Sequence, residues 1–288
     1  MYIELRSYLP LFKLRICLLI TFSAVVSLIS ASSGGISIRN VVLLIIVAMM
    51  ASAGASAFNH YFDMDIDALM ERTKKRPIPS GIINNSKRIL FISVFLFVAS
   101  ILISFKVFNY MVALHLFLGA VVYAIVYTMW LKRKSWLNII IGGLAGSFAV
   151  LAGGASAAPG LCMPPVLLAV IMFFWTPSHF WSFAIVYREE YEKAGIPMLP
   201  VVIGDSKTAG YILLNTILLV ISSLLPSLFG YLGNFYTITA IIVGTFFITR
   251  NIQLIKKPTK EIAWKNFEAS MLYLGALFLA VIIDISIK

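Results

Sequence analysis

Long apolar runs alternate with short polar segments along the whole chain. The runs span about 17–22 residues each, enough for a helix rising ~1.5 Å per residue to cross a hydrocarbon core of ~30 Å. They fall near residues 16–32, 41–61, 89–105, 110–130, 136–157, 165–186, 209–229, 232–249 and 267–286. Outer-membrane strands would be roughly ten residues long and alternate apolar with polar, a pattern absent here. The expectation is an all-α, polytopic membrane protein with about nine transmembrane helices, forming one domain over residues 1–288. Gly230, Gly233 and Asn234 leave little loop before the eighth run. Lys13 and Arg15 ahead of the first run, with Ser30-Ala31-Ser32 behind it, have the outline of a signal peptide. The orientation derived next requires that run to be retained.

Composition agrees with a lipid-facing surface. Of 288 residues, 60% are hydrophobic and 12% charged, against roughly 45–50% and about 25% in soluble domains. The net charge of +11 raises the question of nucleic acid, but its distribution answers it. With nine spans and an inner N-terminus, 20 of the 23 Lys and Arg lie inside, leaving Arg39, Lys106 and Lys288 outside. Positive-inside topology accounts for that asymmetry, so the expected surroundings are a lipid bilayer and no nucleic acid. This puts the N-terminus in the cytoplasm of a multi-pass protein of the cell membrane. Cys17, inside the first span, and Cys162, in an outer loop, are not placed for a structural disulfide.

The acids are concentrated. Four lie in 63–71, four in 189–205, and Glu261 and Glu268 in the last inner loop, which is ten of the 12 in the chain. Glu4 is in the N-terminal tail and Asp284 near the outer end of the last span. Charge at the membrane is costly and marks function. Asn59, Asp63 and Asp67 recur at i, i+4 and i+8, so a continuing helix stacks them on one face. Three such oxygen donors suit Mg²⁺, which is often shared between carboxylates and substrate phosphates. The basic residues beside them, 72–76, make sense if the ligand is a metal–diphosphate. A helix end with mixed charge for solubility is the ordinary explanation of such a loop. Helical spacing, a start inside an apolar run and a second acidic cluster on the same side count against it.

That second cluster follows the sixth run, with Glu189, Glu190 and Glu192 after Trp175, His179, Phe180 and Trp181. The second and sixth runs both travel outside to inside, and a faint repeat of four spans per unit places an acidic helix end in each. His115 reads as packing, and the ring of His60 points off the Asn59 stripe. Gly142, Gly143 and Gly146 read as close helix contacts.

The segment NHYFDMDIDALMERTKKRPIPSG at 59–81 resembles the first aspartate-rich motif of the UbiA-type intramembrane prenyltransferases. Together with YTMWLKRKSWLNIIIGGLAGSFAVLAG at 127–153, FWTPSHFWSFAI at 174–185 and YEKAGIPMLPVVIG at 191–204, it is similar to the haem O synthase (protohaem farnesyltransferase) branch. The resemblance runs from about residue 8 to 285. Two departures stand out: Tyr187 and Tyr191 occupy the second DxxxD positions, and Lys13-Leu14-Arg15 replaces Lys-Pro-Arg.

The resemblance implies a UbiA-type bundle whose central cavity opens to the cytoplasmic face. It implies Mg-dependent transfer of a farnesyl group from farnesyl diphosphate to a vinyl group of haem B, in service of oxidase cofactor synthesis and so beside terminal-oxidase assembly partners. Asn59, Asp63 and Asp67, with Glu189 or Glu190, would hold the metal. Arg72, Arg76, Lys132 and Arg133 would bind diphosphate, and His179 would face the haem as axial ligand or propionate partner. A quinone precursor or lipid alcohol is the rival acceptor, and a transporter the remoter alternative.

Overall fold

The computed structural model describes residues 8–32, 35–160 and 162–287; Glu4, Arg6 and Lys288 lie outside them. After a 3₁₀ turn at Leu9–Phe12 the helices are α1 (Leu14–Ala31), α2 (Ile38–Phe62), the short α3 (Met64–Leu69) and α4 (Ser86–Val107). Next come α5 (Tyr110–Lys134) and α6 (Asn138–Ala157). The chain continues as α7 (Met163–Val186), α8 (Arg188–Lys193), α9 (Leu199–Ile203), α10 (Asp205–Leu228), α11 (Asn234–Lys256) and α12 (Lys260–Ser286). Among the described residues nine helices are long and apolar enough to span a membrane, in the order expected. The eighth forms despite its short approach, because Gly230 turns the chain at φ 75°. Buried Asp284 then caps α11, its carboxylate accepting from the amides of Gly233 (2.6 Å) and Tyr236 (3.1 Å).

Large apolar side chains such as Phe91, Phe95, Leu102 and Phe105 of α4 point outward. In water that surface would drive aggregation; in a bilayer it is the lipid-facing wall. Inside, association rests on small residues and hydroxyls. Ser93 donates to Gly54 O (2.8 Å) and Ser100 to Val47 O (2.9 Å), joining α4 to α2. The glycines read as close contacts are close contacts. A Cβ on Gly142 would meet the Tyr127 ring at 2.8 Å, and one on Gly146 the Met172 side chain at 3.1 Å.

The four-span repeat is visible in the packing. The sequential contacts α2–α4–α5–α6 recur as α7–α10–α11–α12, with α1 against α2, α6, α7 and α12. Each unit's first helix ends in a cap residue, Asp63 or Tyr187, and each is followed by a six-residue acidic helix, α3 or α8. Both clusters therefore hang from equivalent helix ends.

The tightest crossing makes a stability prediction. A Cβ on Gly153 would lie 1.9 Å from Ala24 O on α1, whereas one on Gly210 would meet nothing within 4 Å. Gly153→Ala should cost at least about 1–3 kcal/mol through overpacking. Gly210→Ala should be neutral or stabilise by up to about 1 kcal/mol. Thermal unfolding of the two purified variants in detergent checks both, and equal melting temperatures would refute the packing argument.

Candidate active site

A continuous helix through 59–67 is expected from the spacing, but α2 stops at Asp63 (φ −92°, ψ 7°) and α3 restarts one residue later. The i to i+4 relation survives this break, since Asp63 N donates to Asn59 O (2.9 Å) and Asp67 N to Asp63 O (2.7 Å). The three side chains thus stay together and are buried, Asp63 completely. Asn59 Nδ2 donates to Asp63 Oδ2 at 2.7 Å and to Thr128 Oγ1 at 3.1 Å.

Cations close around this stripe from three other parts of the chain. Lys132, at the inner end of α5, donates to Asp63 Oδ2. Arg76 Nη1 donates to Asp67 Oδ2 at 2.6 Å, from a loop that Thr73 ties down by donating to Asp67 O (2.9 Å). Lys13 Nζ donates to Asn59 Oδ1 at 2.8 Å. Lys13 reaches in because it sits in the left-handed region (φ 44°) between the 3₁₀ turn and α1. Sequence reasoning assigned Lys13 to topology only; the family's basic tripeptide at 13–15 was the available signal. The cluster therefore sets three basic side chains, Lys13, Arg76 and Lys132, against two carboxylates.

Arg133 makes a bidentate pair with Asp65 (2.7 and 2.8 Å), donates to Phe62 O (2.7 Å) and lies 4.0 Å from Asp63 Oδ1. The side-chain hydrogen bond from Arg133 first, then the Ile66 amide and the Arg133 charge, hold the Asp65 carboxyl below the usual aspartate range. A cavity of about 230 Å³ has Asp65, Arg133 and Gly195 on its wall, where the two acidic loops meet.

The α5 segment facing this site is a π-helix over Val122–Leu131. Thr128 Oγ1 donates to Tyr123 O, five residues back (2.8 Å), and the Tyr123 and Tyr127 rings stack at 5.7 Å. Such wide turns recur at functional sites. Nothing in the apolar run distinguishes one from an ordinary helix.

The second acidic region divides. Glu190 Oε2 accepts from the Arg72 amide at 3.1 Å and so joins the two inner loops. Glu189, its side chain 70% exposed, pairs instead with Lys260 of α12 at 2.8 Å. Arg72 takes a position of its own, its guanidinium 5.1 Å from the Phe183 ring centre and 5.2 Å from that of Tyr187. His179 is buried between Trp175 (4.3 Å) and Phe267 (4.4 Å), with Nδ1 2.7 Å from Ser270 Oγ. His115 stacks on Phe148 (6.3 Å), as packing. His60 is 2% exposed, and neither ring nitrogen has a hydrogen-bond partner.

Among the described residues no three or more His, Cys, Asp or Glu gather in metal-binding arrangement. Magnesium does not require that, because it commonly takes one or two carboxylates and completes its shell with water and phosphate. The donors present are oxygens, and Asp63 Oδ1 is buried without a hydrogen-bond partner. The residues fit the ion.

A model of the UbiA prenyltransferase family matches residues 18–282. The chain is 45% identical to protoheme IX farnesyltransferase 1 of Paramagnetospirillum magneticum over 97% of this chain and 98% of that one. It is 41% identical to protoheme IX farnesyltransferase 1 of Cenarchaeum symbiosum, over 97% and 95%. Among solved structures, one concerned with digeranylgeranylglyceryl phosphate synthase has a TM-score of 0.81 at 24% identity, covering 99% of both chains. A UbiA homolog from Archaeoglobus fulgidus bound to DMAPP and Mg²⁺ has a TM-score of 0.71 at 17% identity, covering 96% and 99%. These two show the fold.

The Asp65–Arg133 pair gives a pH prediction. A carboxyl lowered in the folded state contributes stability that is complete above its unfolded pKa of ~3.9 and is lost as pH falls through the lowered value. Asp65 is 61% exposed, so the contribution should be under about 1 kcal/mol. Asp65→Asn should flatten the acid limb of a melting-temperature profile between pH 7 and 3; an acid limb identical to the wild type would rule the linkage out.

Proposed function

Since the chain belongs to the UbiA prenyltransferase family, we propose that it transfers a farnesyl group from farnesyl diphosphate to a vinyl group of haem B, giving haem O. The observation that carries the reading is the buried, cation-rich cluster around Asn59, Asp63 and Asp67, set against relatives that carry the protoheme farnesyltransferase name over nearly their full length. The chain is an integral membrane prenyltransferase. The further placement in the cell membrane, with the N-terminus and site cytoplasmic, rests on the inner excess of Lys and Arg. The whole of 1–288 serves as one prenyltransferase domain, with the terminal-oxidase assembly as the natural consumer of its product.

In this reading Asn59, Asp63 and Asp67 hold Mg²⁺. Glu190 is better placed than Glu189 to assist, because it is bonded to the first loop. Magnesium, when bound, supplies charge neutralisation to the leaving diphosphate. Lys13, Arg76, Lys132 and Arg133 donate to the same diphosphate. Their present partners are carboxylates, so ligand binding exchanges one set of anionic acceptors for another.

The allylic C–O bond breaks with its electron pair going to diphosphate. The stacked Tyr123 and Tyr127 rings beside the cluster shield the farnesyl cation from water and stabilise it through their faces. The vinyl π electrons then form the new C–C bond. Water adds to the resulting cation, and its proton leaves to the diphosphate. His179, on the aromatic side of the site, faces the haem.

Purified protein incubated with haem B, farnesyl diphosphate and Mg²⁺ should yield haem O by mass analysis, and chelation by EDTA should stop it. Asp63→Ala should lower turnover by at least about a hundredfold while the protein still elutes as a folded species. Prenylated phenol in a parallel assay without haem O would reject the acceptor but keep the family; full activity of Asp63→Ala would remove the metal reading.

A further inference from the structure

The two oxygens of the buried Asp63 carboxylate are used unequally. Both of its close donors lie on Oδ2, namely Asn59 Nδ2 at 2.7 Å and the Lys132 ammonium. Oδ1 is buried and accepts no hydrogen bond. Leaving a buried, charged oxygen without a donor is costly, and a donor stands close by. Arg133 Nη2 is 4.0 Å away. A shift of about 1 Å would bring it to the ~2.9 Å of a hydrogen bond.

Arg133 does not make that shift because Nη2 has no proton to spare. Each terminal nitrogen of a guanidinium carries two N–H groups. On Nη2 one goes to Asp65 Oδ1 at 2.8 Å and the other to Phe62 O at 2.7 Å. Nη1 donates to Asp65 Oδ2 at 2.7 Å, so a bidentate pair fixes the plane and aim of the fork. Asp65 itself faces solvent, with 61% of its side chain exposed. A pair so exposed adds under about 1 kcal/mol to stability, which gives little reason for it. Holding a guanidinium outward, away from a buried oxygen 4.0 Å distant, does give one.

We propose that Asp65 is a positioning residue for the metal site: its bidentate hold on Arg133 keeps Asp63 Oδ1 unbonded and so open to a divalent cation. Asp65 touches neither the cation nor the diphosphate. Without it Arg133 loses two of its three acceptor atoms, turns inward and bonds Asp63 Oδ1, covering the lone pairs that the cation needs. The held guanidinium still has Nε–H, buried without a partner, to offer an arriving anion. The proposal rests on the metal reading above and adds the residue that protects its oxygen.

The test is Mn²⁺ binding to full-length protein in detergent, read as loss of the free-ion signal in electron paramagnetic resonance. Asp65 and Arg133 are changed singly and together. Asp65→Ala should weaken Mn²⁺ binding about ten- to a hundredfold. In an Arg133→Met background the same substitution should change affinity by less than about twofold, because no guanidinium is left to turn inward. A loss of equal size in both backgrounds means that Asp65 acts through its charge alone and overturns the proposal. Wild-type affinity in Asp65→Ala overturns it too. Should Asp65→Ala fail to fold, Asp65→Asn, which keeps one acceptor oxygen in place of two, is put through the same comparison. Wild-type protein that binds no Mn²⁺ overturns the metal reading together with this one, whereas a wild type that binds it and an Asp65 effect independent of Arg133 overturn only the role of Asp65.

Discussion

A fully buried carboxylate exists at the end of α2 because Lys132 reaches it from α5. Removing either ion from water costs several kcal/mol, and only close pairing with further hydrogen bonds offsets that. Asn59 supplies such a bond to Asp63, and Lys13 and Thr128 hold Asn59 in turn. Two helices, α2 and α5, and the chain entry before α1 are thereby committed to one spot. The break at Asp63 and the loop that carries Arg76 are placed by the same set of charges.

Such a cluster is not chosen for stability, since apolar packing would hold α2 to α5 at lower risk. Its use lies in what it keeps ready. Its basic side chains are already largely withdrawn from water, and an arriving anion would exchange with their carboxylate partners. The helices around the cluster associate differently, through backbone approach and hydroxyl bonds, because apolar contact gives no preference for helix over lipid. Close seams such as Gly153–Ala24 and Ser93–Gly54 join the helices beneath that charged end.

The nine spans were legible because lipid demands continuous apolar length. Their ends were less so. The last span was expected from 267, but α12 begins at Lys260, where Thr259 accepts from Ile262 N and polar residues extend the helix beyond the apolar run. Hydropathy does not register a helix that projects into water. In the site, Asn59, Asp63 and Asp67 could be read because their spacing is local. Lys13 could not, since its contact with Asn59 joins positions 46 apart. The same holds for Glu189, whose partner Lys260 is 71 residues away, and for the aromatic rings beneath Arg72. A residue's type limits its partners; only the fold selects among them.

The selection leaves the two repeated halves with different chemistry on equivalent helix ends. At the end of α2 a carboxylate is capped by cations. At the end of α7 the corresponding position is Tyr187, and the nearby cation rests on rings. An aromatic in place of an acid leaves Arg72 resting on ring faces rather than paired with a carboxylate. The tyrosines at 187 and 191, which look like losses in an acidic motif, are thus what makes the two halves differ at equivalent helix ends.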